Sequence, residues 1–202
     1  MRVLEITQLR LRRVAVDNPA LIQSLSAVRE KLHTNSQFYN CIEDPALIYI
    51  LGIWPNLEAH LEFLDSPMRD EVLGPQEDIL EFCWTVHVEL DGMRLLPLGA
   101  PILAMERLLF KHECVENFET AVTKYAQRLQ GSHAFRTVHG WRCDTAHGTH
   151  EAFVFTGWET AQTHVTLTAS LDDGGDDDTT ALHERAETVQ IIHARNLERK
   201  YH

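Results

Sequence analysis

Four histidines are the residues of this sequence whose type and spacing could support acid–base chemistry. His60 and His164 occupy the same place in two similar stretches of sequence, and His87 and His193 each follow one of these stretches. An unperturbed imidazole titrates near neutral pH, so it can take up or release a proton during a reaction. A buried histidine can equally well connect a helix to a strand through a hydrogen bond. The sequence leaves both roles open.

The stretches around His60 and His164 belong to an internal repeat. Residues 54–66 (WPNLEAHLEFLDS) match residues 158–170 (WETAQTHVTLTAS) with a constant offset of 104. Three further blocks match at similar offsets: an opening strand, an amphipathic helix, and a closing strand that carries His87 or His193. The chain is therefore predicted to contain one fold twice, in residues 1–92 and 101–202, with a linker at 93–100.

Each half is predicted to have the order strand, helix, two strands, helix, strand. Asn18 before Pro19 indicates a helix start, and the turn at residues 43–46 indicates a hairpin. This βαββαβ order is that of a ferredoxin-like fold of the α+β class, which leaves one sheet face uncovered. The two uncovered faces are predicted to pack together as an internal pseudo-dimeric α/β barrel, in a monomer or a homodimer.

The elements that carry the first pair of histidines are predicted in more detail. The helix of His60 is expected to turn Leu57, Leu61 and Leu64 inward, with breaks in the chain at Pro67 and at Gly74-Pro75. In the strand at 79–90, alternation places Leu80, Phe82, Trp84, Val86, Val88 and Leu90 on the core face. The other face, with Glu81, Cys83, Thr85, His87 and Glu89, either lines a cavity or faces solvent at a sheet edge.

Composition excludes several classes of partner. The net charge of −12 disfavours nucleic acid and anionic membrane surfaces. No apolar run approaches the roughly 18 residues of a membrane helix, and the N-terminus does not resemble a secretion signal, so a cytoplasmic location is expected. The four cysteines are scattered, which favours reduced thiols over a disulfide framework.

The apolar strand that ends in Trp54 or Trp158, followed by a short helix with Ala-His or Thr-His and then serine, resembles the dimeric α/β-barrel superfamily. Within it, both halves are most similar to antibiotic-biosynthesis-monooxygenase-like (ABM) domains, and the tandem form resembles fused versions found in fungi. The superfamily includes cofactor-independent oxygenases of polycyclic phenols, haem-degrading enzymes, isomerases, lactone-processing enzymes and stress-responsive proteins without known chemistry. The resemblance therefore implies a fold but does not select one reaction.

The candidate site residues follow from these patterns. The candidate acid–base groups are His164, His193, His60 and His87. The candidate walls for a planar aromatic ligand are Trp158, Trp141, Trp54 and Phe155, although such residues also serve as core.

Neither a nucleophile motif nor a cofactor fingerprint occurs, so no cofactor is predicted. Cys143, His147, His150 and Glu151 lie close together, but their spacing fits no standard zinc pattern, so no metal is predicted.

Two functions remain open from the sequence. The chain is predicted to be an enzyme acting on a planar aromatic or polyketide-like compound, as a cofactor-independent oxygenase or as an isomerase or cyclase. The alternative is a barrel that binds a small molecule, or is purely structural, in which the histidines only brace the fold. An enclosed cavity larger than about 300 Å3 that touches at least one of the histidines would favour the enzyme, and a barrel filled with side chains would favour the alternative.

The second half is predicted to hold the pocket. Ala161, Val165 and Thr168 are smaller or more polar than the matched leucines of the first half, and an insertion there carries His133, His139 and Trp141. The pocket is therefore expected beside His164, Trp158 and His193. The acidic run at residues 172–178 is predicted to be a mobile, dispensable loop.

Overall fold

The computed structural model describes residues 1–110, 115, 117–130, 135–172, 182–183 and 186–199. The chain divides into two compact units, one formed by residues 1–93 with the segment from Ala194 onward, the other by residues 94–193. Both units combine helices with an antiparallel sheet, so the predicted α+β class is confirmed. The predicted acidic loop, apart from Asp172, falls on residues outside the described part of the chain.

The first unit has the predicted order, with one addition. Its elements are β1 (Val3–Leu11), α1 (Pro19–Leu32), β2 (Gln37–Cys41), β3 (Leu47–Trp54), α2 (Leu57–Asp65), α3 (Pro67–Leu73), a 3-10 turn (Gly74–Gln76) and β4 (Leu80–Glu89). The strand order in its sheet is β4-β1-β3-β2, with β4 at the edge. The C-terminal end of the last strand, Ala194–Asn196, pairs with β2.

The second unit repeats the ferredoxin-like order. A short 3-10 turn (Met93–Leu95) leads into β5 (Ile102–Phe110), α4 (Phe118–Gln130), β6 (Thr137–Trp141), β7 (His150–Trp158), α5 (Ala161–Asp172) and β8 (Ala186–Asn196). Its strand order is β8-β5-β7-β6. No helix in the described part of the chain is long and apolar enough to cross a membrane.

The strand pairs β1–β3 and β5–β7 have the same register. Val3 lies opposite Trp54 in the first unit, and the matched Ile102 lies opposite Trp158 in the second. Because side chains alternate between the faces of a strand, this common register places matched residues of the two units on equivalent faces.

Polar side chains start the helices that carry the site histidines. The Asn56 side chain accepts a hydrogen bond from the Ala59 amide at the start of α2, and the Thr160 hydroxyl accepts one from the Thr163 amide at the start of α5. These bonds satisfy amide groups that would otherwise lack partners in the first turn.

The inward face of α2 differs from the prediction. His60 and Phe63 are the buried residues of this helix, whereas Leu61 is 47% exposed. The expectation that Leu57, Leu61 and Leu64 form a dense inward stripe is therefore wrong. The predicted break at Pro67 is confirmed, since α2 ends at Asp65 and Ser66 is extended. Pro67 then occupies the first turn of a new helix, α3, where a missing amide hydrogen costs nothing.

The alternation predicted for β4 is broken by a bulge. Gln8 lies opposite Trp84 and Leu9 lies opposite Phe82, so Cys83 is an extra residue in β4. Leu80 and Phe82 consequently line the same cavity as Thr85, while Trp84 approaches the Tyr49 ring, with 6.1 Å between the ring centroids. The prediction that Leu80, Phe82 and Trp84 share one face is therefore wrong.

A glycine in β7 gives the fold a testable packing constraint. A Cβ atom on Gly157 would lie 2.7 Å from the Cβ atoms of both Ala100 and Phe135, whereas one on Gly99 would meet nothing within 4 Å. We expect Gly157→Ala to destabilise the protein by about 1–3 kcal/mol and Gly99→Ala to change stability by less than about 0.5 kcal/mol. Urea unfolding checks both values, and equal stabilities of the two variants would contradict the packing argument.

Candidate active site

The four candidate histidines form two buried pairs, one in each unit. His60 Nδ1 lies 2.6 Å from His87 Nε2, and His164 Nδ1 lies 2.7 Å from His193 Nε2. All four side chains are at most 4% exposed. Each pair joins a helix to a strand, as the bracing interpretation requires. Each pair also places imidazoles, which can exchange protons, where the helix packs on the sheet.

A tryptophan ring packs against the helix histidine of each pair, stacked in the first unit and tilted in the second. The Trp54 and His60 rings have centroids 4.4 Å apart and an angle of 16°, and the Trp158 and His164 rings have centroids 4.7 Å apart and an angle of 36°. Trp54 also stacks on Phe63, with 5.6 Å between centroids. These contacts fix the orientation of each imidazole, because its ring plane and one nitrogen are both held.

A carboxylate lies near each pair, and sequence reasoning missed both. Glu5 Oε2 is 3.9 Å from His60 Nε2, and Glu106 Oε1 is 3.6 Å from His164 Nε2. The available signal was an acidic residue inside a mainly apolar opening strand. A charged group in such a strand requires partners, and residues that supply them are candidates for function.

The two carboxylates do not occupy equivalent positions. Glu5 lies opposite Gly52, and the matched pair in the second unit is Ala104 opposite Thr156. Glu106 instead occupies the position of Thr7, two residues further along the strand. The units therefore place their carboxylates differently below otherwise similar histidine pairs.

Glu106 is held by neighbouring donors in the second unit. The Tyr125 hydroxyl donates to Oε1 at 2.9 Å, and His183 Nε2 lies 2.6 Å from Oε2. Burial by itself raises the pKa of Glu106, but the hydrogen bond from His183 and the proximity of the His164 and His183 imidazoles outweigh it and lower the pKa to about 2. Glu106 is therefore a carboxylate enclosed by the protein's own donors. His164 Nε2, at 3.6 Å, is too distant for a hydrogen bond and has no such partner among the described residues.

Glu5 accepts one hydrogen bond on each of its two carboxylate oxygens in the first unit. Trp54 Nε1 donates to Oε2 at 2.5 Å, and the Thr7 hydroxyl donates to Oε1 at 2.6 Å. Thr7 lies 2.7 Å from the Thr85 hydroxyl. Because each hydroxyl has one hydrogen, Thr85 donates to Thr7 when Thr7 donates to Glu5. The chain of donors therefore ends on the carboxylate.

A cavity of about 280 Å3 lies above Glu5 in the first unit, and His60, Thr7 and Thr85 also line it. Its remaining walls are mainly apolar. They include Leu25, Val28, Phe38, Trp54, Phe63 and Phe82. The volume is slightly below the 300 Å3 that we set as favouring an enzyme, and a candidate histidine is in its wall.

Residue size at one matched position separates the two units. Val28 on α1 lines the cavity, and the residue that matches it on α4 is Tyr125, which is 2% exposed and donates to Glu106. At this matched position the first unit has a small valine, and the second unit has a large tyrosine. The expectation that Val165 faces inward and leaves room for a pocket in the second half is wrong, since Val165 is 48% exposed.

The other candidate residues are not gathered around one point. Trp141 packs on Phe110 and Phe118, with ring centroids 5.9 and 4.4 Å away, at the end of β5 opposite to Trp158. Phe155 stacks on Phe153, and alternation along β7 places both on the opposite sheet face from Trp158. His139 bonds Glu119, and His133 lies outside the described residues.

Comparison with known proteins gives the fold alone. No protein-family model and no curated protein matches the sequence. An anthrone oxidase-like protein is similar in structure, with a TM-score of 0.69 and 12% identity over 98% of this chain and 95% of that one. A candidate monooxygenase from Lactobacillus acidophilus has a TM-score of 0.59 and 9% identity over 97% and 94%. A chlorite dismutase mutant from Candidatus Nitrospira defluvii has a TM-score of 0.58 and 13% identity over 98% and 92%.

The low pKa of Glu106 predicts a particular loss of stability in acid. Its folded-state pKa of about 2 lies below the ordinary value of 4.5. The ionised carboxylate therefore stabilises the fold fully above pH 4.5, and this contribution, on the order of 3 kcal/mol at most, is lost as the pH falls towards 2. We expect Glu106→Gln to be less stable at pH 7 and to lose less stability between pH 5 and 2.

Urea unfolding of the parent and the variant across this pH range measures the effect. Glu119→Gln is the matched control, because Glu119 is an exposed carboxylate of the same unit that also bonds a histidine. If Glu119→Gln lost as little stability between pH 5 and 2 as Glu106→Gln, Glu106 would have no special role in acid stability.

Proposed function

We propose that the first unit holds a small-molecule site and that the chain is an enzyme acting on a planar aromatic compound without a cofactor, as a tandem ABM-like protein. The observation that carries the proposal is the cavity above Glu5, with the buried His60–His87 pair in its wall. An apolar pocket with a few convergent polar groups is the usual form of a ligand site. The structural likeness to oxygenase-like proteins is compatible with this proposal and supplies no substrate.

The first step assigned to the site is removal of a proton from a phenolic hydroxyl. His60 is the proposed acid–base group, because its ring lies in the cavity wall and its Nδ1 is already bonded to His87. An imidazole pair that shares a hydrogen bond can hold one hydrogen between the two rings, so His87 fixes which His60 nitrogen exchanges protons. Glu5 is close enough to stabilise a positive charge that develops on His60.

The oxidation itself can then proceed between substrate and dioxygen. The phenolate gives one electron to O2, the resulting radicals combine to form a carbon–oxygen bond, and loss of water leaves a quinone. The balance is one phenol and one O2 in, one quinone and one water out, so no external reductant is required. The proton removed at the start returns to the departing water. The protein supplies an apolar site, orientation and one proton-transfer group.

A second candidate function is a barrel that binds a small molecule without chemistry or serves only as a structure. The observation that favours it is that both histidine pairs bridge a helix to a strand, including the pair near the enclosed Glu106. Oxygen consumption distinguishes the two functions, because a binding protein would retain the phenol without turning it over.

We expect Val28→Tyr to abolish ligand binding while the protein stays folded. The matched position of the second unit holds a buried tyrosine, and in the first unit the cavity beside Val28 offers space for such a ring, which would then occupy the cavity. Fluorescence titration with 1-naphthol measures binding, and circular dichroism measures folding. Ile22→Tyr on the same helix is the control, since Ile22 does not line the cavity. Equal binding by the parent and Val28→Tyr would place the ligand elsewhere.

Substitution of His60 tests the chemical step. We expect His60→Gln to lower oxygen consumption with 1-naphthol by a factor of about 100 or more, because a positioned proton-transfer group contributes about that much. His164→Gln is the matched control in the second unit and should retain turnover. Unchanged turnover in His60→Gln, or equal loss in both folded variants, would reject the role given to His60.

A further inference from the structure

We infer that Glu5 determines which ligands the first-unit cavity accepts, selecting neutral one-ring or two-ring molecules that carry a hydroxyl donor and rejecting carboxylates. This inference rests on the proposed function, because it assumes that the cavity binds a ligand. It follows from the direction of the hydrogen bonds on the cavity floor, the pairing of the nearby cations and the cavity volume.

The floor of the cavity offers acceptors to a ligand. Trp54 and Thr7 both direct their hydrogens at Glu5, and the Thr85 hydrogen is engaged by Thr7. An ionised carboxylate has about four acceptor positions, of which these bonds use two among the described residues. A ligand hydroxyl that donates to Glu5 therefore completes the arrangement, whereas a ligand with acceptors alone leaves Glu5 unsatisfied on that side.

The two arginines that line the cavity are already engaged by carboxylates. Both terminal nitrogens of Arg29 donate to Glu198, at 2.7 and 2.9 Å. Arg69 lies 2.6 Å from Asp70 and 3.4 Å from Glu77. A carboxylate ligand would thus meet the negative charge of Glu5 without gaining an uncommitted arginine, and repulsion between like charges at short range is strong away from bulk water.

The volume limits the size of the ligand. Drug-sized ligands occupy cavities of roughly 300–1,000 Å3, and this cavity has about 280 Å3. It therefore suits one or two fused rings. Trp54, Phe63 and Phe38 supply flat walls for such rings.

Ligands of matched shape test the inference on the unmodified protein. At pH 7, 2-naphthol is neutral and carries a donor, 2-methoxynaphthalene is neutral without a donor, and 2-naphthoate is an anion. We expect 2-naphthol to bind about tenfold more tightly than 2-methoxynaphthalene and at least about 100-fold more tightly than 2-naphthoate. Isothermal titration calorimetry measures all three affinities.

Glu5→Gln tests the residue itself. The amide retains an acceptor for Trp54 and gains a donor, so we expect 2-naphthol to bind about tenfold less tightly and 2-naphthoate at least tenfold more tightly than in the parent. Glu62→Gln on α2, which removes the same charge from an exposed residue that does not line the cavity, should leave the preference for 2-naphthol unchanged. Because the three-ligand series on the unmodified protein needs no variant, the inference stays testable if Glu5→Gln does not fold.

The outcomes separate the inference from the proposed function. If the unmodified protein binds 2-naphthol and 2-naphthoate within threefold of each other, the selecting role of Glu5 is overturned while the site remains. A preference for 2-naphthol that is unchanged in folded Glu5→Gln also overturns it. If the unmodified protein binds none of the three ligands, the small-molecule site itself is overturned.

Discussion

The hydrogen bond between a helix histidine and a strand histidine is the interaction on which each unit depends. A buried imidazole without partners is costly, and here a second imidazole satisfies one nitrogen while a tryptophan ring covers the face. This arrangement fixes the position of α2 over β4 and of α5 over β8. Because the pair defines where the helix lies, it also defines where a cavity can open beside it.

The units differ in what they place beneath that shared bond. In the second, Tyr125 and His183 enclose Glu106, and the carboxylate is satisfied by the protein's own donors. In the first, Glu5 sits two residues nearer the start of the strand, and a small residue on α1 leaves space above it. The same histidine pair thus stabilises a closed polar cluster in one unit and borders an open volume in the other. Bracing and chemistry are therefore compatible uses of one arrangement.

Sequence patterns with a regular period predicted the fold well and the site only in part. The repeat predicted the element order of both units, since matched apolar residues at constant offsets require matched strands and helices. The pattern failed in two places. At the Cys83 bulge, the residues of β4 before and after the bulge no longer alternate between the two sheet faces as predicted. On α2, His60 and Phe63 face inward in place of the leucines. The partners of Glu5 and Glu106 come from distant positions in the chain, so no local pattern indicated them. The histidines were identified because they recur at matched positions in both halves of the repeat.

The helix α3 and the 3-10 turn after it have a kinetic consequence for the cavity. Arg69, Leu73 and Gln76 from this segment form part of the cavity wall, and Gln76 is tied to Ser24 on α1 by a hydrogen bond of 3.1 Å. Val72 is the buried residue of this two-turn helix. Short segments with little buried surface open at a lower free energy than the sheet beneath them. For a molecule bound in the proposed site, we therefore expect the residence time to depend on how often this wall opens, and the affinity to depend on the groups of the floor.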